Sequence, residues 1–73
     1  MANYYLNGNK VLKAEFVAYE KAYAIAADII GVAFEEQSEP LSRIVAENIE
    51  LYGYKNYIKA AYFAVDEFRR KGL

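Results

Sequence analysis

Apolar positions recur at helical spacing through most of this chain, and only its N-terminal stretch breaks the pattern. There, Asn3-Tyr4-Tyr5-Leu6 and Lys10-Val11-Leu12-Lys13 flank Asn7-Gly8-Asn9. Asn-Gly between such runs is the strongest short hairpin signal, because a type I′ turn needs φ > 0 at both central residues. The pattern predicts a β-hairpin over residues 3–13. Asn9 leaves a three-residue, bulged loop open beside the two-residue one. An isolated two-stranded hairpin is marginal in water, so this one must lie on helices or extend a partner's sheet.

Residues 14–36 read as one long helix, roughly 34 Å at 1.5 Å per residue. The stretch is rich in Ala, the best helix former, and Gly31 is its weak point. Phe16, Tyr19, Tyr23, Ala26, Ile30 and Ala33 form one apolar seam at three- and four-residue spacing. Ala18, Ala22, Ile25, Ile29 and Val32 form a second seam beside it. A surface helix ordinarily buries one stripe. Two adjacent seams imply packing on two sides, and the second side is assigned to self-association with another copy. Asp28, between the seams, is expected to be partly buried, and Lys21 lies two turns away on the same side.

Glu35-Glu36-Gln37-Ser38-Glu39-Pro40 ends that helix and starts the next, with Pro40 in the first turn and Ser38 or Glu39 at the cap. Leu41, Ile44, Val45, Ile49 and Tyr52 give a helix over residues 40–52 its apolar face. Gly53 reads as the residue just past a helix end, although a merger of this helix with the next through Gly53 stays open. Residues 55–71 form the last helix, with Ile58, Ala61, Val65 and Phe68 as its stripe and Tyr57 and Ala64 alongside. Arg69, Arg70 and Lys71 suit its C-terminal dipole. The expectation is a single domain over residues 1–73, mainly α and helix-dominated α+β: hairpin, long helix, then a two-helix pair.

Composition narrows the chemistry. The 73 residues contain no Cys and no His. That excludes disulfides, Cys or His zinc sites, His-ligated haem and Ser-His-Asp catalysis. Acidic groups at Glu35, Glu36 and Glu39, and at Glu47 and Glu50, match no calcium-loop spacing and read as solvated helix ends. The glycines are isolated, so no phosphate-cradling loop exists, and Ser38 and Ser42 have no base partner. No enzyme, cofactor or metal site is expected. Neither a signal peptide nor a membrane-length apolar run occurs, which makes a cytoplasmic protein without membrane contact the expectation.

Charge changes the picture slightly. The net charge is −1, so no global basic field attracts nucleic acid. Residues 35–54 are net negative and residues 55–73 net positive. The last two helices superficially suggest a helix-turn-helix, but the recognition-helix position that should be aliphatic is Lys59. A nucleic-acid-associated regulator using Lys55, Lys59, Arg69, Arg70 and Lys71 is the alternative reading.

The leading reading is protein binding. Eight Tyr and four Phe suit half-exposed interface positions. On the last helix Lys55, Lys59, Tyr62, Asp66 and Arg70 lie off the core stripe around Phe63, in the form of a hot spot with a polar rim. Tyr4, Tyr5, Tyr52, Tyr54 and Tyr57 are further candidates. A homodimer that occludes or bridges a larger protein is expected. A subunit that completes a partner enzyme's fold is a third class.

The opening Tyr4-Tyr5-Leu6-Asn7-Gly8-Asn9-Lys10-Val11, followed by Lys13-Ala14-Glu15-Phe16, resembles the start of small accessory proteins of phages and mobile elements of Gram-positive bacteria. In those, a Tyr-x-x-Asn-Gly-Lys-x-Val hairpin leads into a helix. The chain departs at Asn9, where those proteins often begin the Lys run, and the resemblance covers the N-terminal stretch alone. It implies no activity and no site residues. It does imply a stand-alone regulator or inhibitor, host defence systems included among the targets, that acts by binding.

Overall fold

The computed structural model describes residues 2–33 and 36–73. Strands β1 (Tyr4–Leu6) and β2 (Asn9–Val11) pair antiparallel, with Leu6 opposite Asn9. That register leaves Asn7-Gly8 as a two-residue loop. Asn7 at φ 51° and Gly8 at φ 79° supply the two positive φ angles of a type I′ turn. The three-residue loop is therefore not used. The hairpin rests on the first helix through Tyr4, whose ring centroid lies 5.1 Å from that of Phe16.

Helix α1 spans Lys13–Ile30, shorter at its C-terminus than the expected 14–36. Gly31 is its terminator. At φ 87° and ψ 25° it adopts the left-handed conformation, and the Gly31 and Val32 N–H groups both donate to the Ala27 carbonyl, at 2.8 and 2.9 Å. This is a left-handed C-terminal closure in which the 5→1 bond of the αL motif is joined by a 6→1 bond to the same carbonyl. Helical periodicity continues through Ala33 by composition alone, and Ala33 is exposed. Phe34 and Glu35 lie outside the described residues.

Helix α2 spans Glu39–Tyr52, with Pro40 in its first turn and Ser38 at the cap, its hydroxyl oxygen accepting the Leu41 N–H at 3.3 Å. Gly53 stops it at φ 87° and ψ 154°, a region open essentially to glycine alone. Asn56 then donates its side-chain amide to the Tyr52 carbonyl at 2.8 Å, so the end of α2 is capped from the next element. The second and third helices are thus separate. A 3-10 turn over Tyr54–Asn56 leads into α3, Tyr57–Arg70.

The core is asymmetric in side-chain size. α2 contributes Leu41, Ile44, Val45 and Ile49, while α1 contributes Ala18, Ala22, Ala26 and Ala27, and α3 contributes Ala60, Ala61 and Ala64. Large side chains of one helix meet the alanine faces of the other two. Val65, Phe68 and Tyr23 complete the buried set.

Several expectations change here. Ala18 and Ala22, assigned to self-association, are buried by their own chain, at 4% and 0% exposure. Ile25, Ile29 and Val32 also pack partly on that core. The α3 stripe includes Ala60, Ala61, Ala64, Val65 and Phe68, which turns Ile58 outward to 52% exposure. Asp28 is exposed, because the buried arc of α1 runs through Ala18, Ala22 and Ala26 and leaves it on the far side. Among the described residues, no helix is long and apolar enough to cross a membrane.

Candidate functional site

Lys59, Phe63, Asp66 and Arg70 follow three- and four-residue spacing, so they share one flank of α3. That flank faces the C-terminal turn of α2, because the short connection through Gly53 folds α3 back along it. There Phe63 stacks on Tyr52, with ring centroids 5.1 Å apart and planes at 19°. The Lys59 ammonium stands 5.2 Å from the Tyr52 centroid and 5.8 Å from that of Phe63. A cation over two aromatic faces is attracted by both quadrupoles, about 0.5–1 kcal/mol per ring at an exposed site.

Leu51 extends the patch and is 73% exposed. Together Asn48, Leu51, Tyr52, Phe63, Asp66 and Arg70 line a shallow groove between the helices. Asn48 is the one buried polar residue among those described, and its amide donates to the Ile44 carbonyl at 2.8 Å. Glu67 at the groove's edge pairs with Lys71 at 3.3 Å.

The sequence-predicted partner residues are split by this geometry. Lys59, Phe63 and Arg70 share the α2-facing flank. Tyr62 is exposed on the other flank of the helix. Lys55 belongs to the 3-10 turn, where its ammonium lies 5.9 Å from the Tyr54 ring centroid. Sequence reasoning placed Phe63 on an open outer face. It missed that Tyr52 and Leu51 form the other half of the patch, and it missed Asn48. The available signal was Gly53, which ends α2 at Tyr52 and leaves only a short connection to α3.

A second aromatic line runs along α1. Phe16 and Tyr19, then Tyr19 and Tyr23, have ring centroids 6.2 Å apart. The Tyr23 hydroxyl accepts the Ser38 N–H at 3.1 Å, and the Tyr19 and Ser42 hydroxyls are hydrogen-bonded. Burial raises the Tyr19 pKa, with the Ser42 hydrogen bond opposing it in part. A phenol that holds its proton this firmly supplies Ser42 with no base at neutral pH.

Beneath the hairpin, Leu6, Val11, Ala46 and Ile49 form an apolar cleft rimmed by Lys10, Glu15 and Glu50. Among the described residues, no three acidic side chains converge as a metal site would require. No protein-family model matches the chain, and neither a curated protein nor a solved structure does.

Proposed function

We propose that this chain is a non-catalytic protein-binding module that presents the α2–α3 surface centred on Phe63 to a larger protein and regulates or inhibits it by occlusion. The observation that carries this reading is the Tyr52–Phe63 stack held under the Lys59 ammonium, with Leu51 exposed beside it. Pre-stacked aromatics lose little side-chain entropy on binding, and an aromatic centre ringed by long charged side chains is the usual make-up of a hot spot. The hairpin's resemblance to phage and mobile-element accessory proteins points the same way.

The test compares wild type with Phe63→Ala and with Ile58→Ala, an exposed residue on the opposite flank. A discrete protein partner retained by wild type and Ile58→Ala, and weakened at least about tenfold by Phe63→Ala, is the expected result. Partner binding that Phe63→Ala leaves intact would refute it. Salt-sensitive retention of duplex or single-stranded nucleic acid, lost on Lys55→Ala and Lys59→Ala, would favour the nucleic-acid alternative instead.

A further inference from the structure

α1 carries a stripe that its own core leaves largely exposed. Ala14, Val17, Lys21, Ala24, Ile25 and Asp28 recur at three- and four-residue spacing along one side. Ala14, Lys21, Ala24 and Asp28 are exposed, and Val17 and Ile25 are half-buried. Lys21 and Asp28 stand two turns apart on this line with opposite charge. Neither belongs to an ion pair among the described residues, where the pairs are Arg43–Glu39 and Lys71–Glu67.

Two further observations bear on the same surface. An open groove runs beside the N-terminal half of the stripe, lined by Ala14, Val17, Lys21, Tyr54, Lys55 and Tyr57. Its lysines make it cationic. The other end of α1 has no basic residue in its last turn, so the partial negative charge at that terminus has no side-chain counterpart on its own helix.

We infer that a second copy of this chain covers the stripe, α1 against α1 and antiparallel about the point between Ala24 and Ile25. In that register Lys21 faces the partner's Asp28, and Asp28 faces the partner's Lys21. Ala24 faces the partner's Ile25, and Ile25 faces the partner's Ala24. The C-terminal end of each α1 enters the groove of the other copy, where Lys21 and Lys55 meet the terminus that lacks a cation. Alanines at the contact let the helix axes approach to about 8 Å. A parallel pairing would set Lys21 against Lys21 and Asp28 against Asp28, so the charges select the antiparallel arrangement. This surface lies away from the Phe63 patch, and the inference stands independently of that reading.

The experiment is sedimentation equilibrium of the full chain up to about 100 μM, where a micromolar dimer is well populated. Wild type is expected to dimerise, more weakly at 0.5 M salt than at low salt. Lys21→Glu and Asp28→Lys each create two like-charge oppositions and are expected to weaken the dimer about tenfold or more. An equimolar mixture of the two restores both attractions and is expected to recover the dimer. Circular dichroism establishes that each variant is folded. Should one not fold, Lys21→Gln and Asp28→Asn give the same reading with a smaller loss. A wild type monomeric at about 100 μM, folded single variants that dimerise undiminished, or a mixture that stays monomeric would each overturn the inference.

Discussion

Tyr19 shows how much one side chain can join. Its ring touches the aromatic line that begins in the hairpin, and its hydroxyl reaches Ser42 on α2. Because burial raises its pKa, the folded state holds the phenolic proton more tightly than the unfolded chain, whose Tyr titrates near 10.0. Its contribution is therefore complete below pH 10 and is lost as pH rises through the folded value. Tyr19→Phe is expected to flatten the alkaline side of a stability–pH profile, and to cost about 1 kcal/mol at neutral pH from the lost hydrogen bond. Denaturant unfolding across pH 7–11 checks both. The two phenylalanines of α3 make a sharper contrast. Phe68 is buried and Phe63 is 43% exposed, so Phe68→Ala is expected to cost about 3–5 kcal/mol and Phe63→Ala under about 1 kcal/mol. Parallel thermal melts would expose the error if the two fell together. Spacing alone ranked these residues well where a stripe was unambiguous, as at Val65 and Phe68. It failed at Ile58, because a hydrophobic residue one step off the stripe fits the pattern and still faces solvent.

At the scale of elements, glycines decide where helices stop. The existence and order of hairpin and three helices follow from periodicity and turn chemistry, and so does the break at Gly53. The end of α1 does not. Apolar spacing ran on through Ile30 and Ala33, and a propensity argument weighs Gly31 as a modest penalty inside a helix. What wins is the left-handed closure, two N–H groups satisfying one carbonyl, which needs a left-handed residue at that position. Gly53 is the more demanding site, since ψ 154° at positive φ excludes residues with a Cβ. Gly53→Ala is expected to destabilise by about 1–3 kcal/mol, although a Cβ there would meet no atom within 4 Å. The cost is backbone strain and not crowding at the Cβ, and Gly53→Val should cost more than Gly53→Ala because a β-branched side chain is strained further at positive φ. Chemical denaturation of the pair checks that order. The Phe63–Tyr52 patch belongs to this scale too: it exists because this turn brings the end of α2 against the start of α3, a tertiary fact that no helical wheel contains.

For the whole molecule, the sequence posed a question of sufficiency: does so short a chain cover its own apolar surface? The radius of gyration, 11.4 Å, matches the roughly 11 Å of a folded chain of this length. Ala18 and Ala22, counted as surplus on the periodicity argument, are enclosed because α1 and α3 approach closely on small side chains while α2 fills the space between with larger ones. The sequence pattern shows which residues are apolar but not how near two helices come, and that distance decides how much surface remains. Close approach makes the alanines of α1 and α3 sensitive to growth. Ala22→Leu or Ala64→Leu, both at fully enclosed positions, should force the helices apart and destabilise by about 1–3 kcal/mol. Ala24→Leu, on the exposed stripe, should leave the isolated fold unchanged within about 0.5 kcal/mol. Thermal melts at low concentration, compared across the three variants, test the division between the face α1 buries and the face it keeps. If Ala24→Leu proved as costly as Ala22→Leu, α1 would have no free side, and any second copy would have to bind elsewhere.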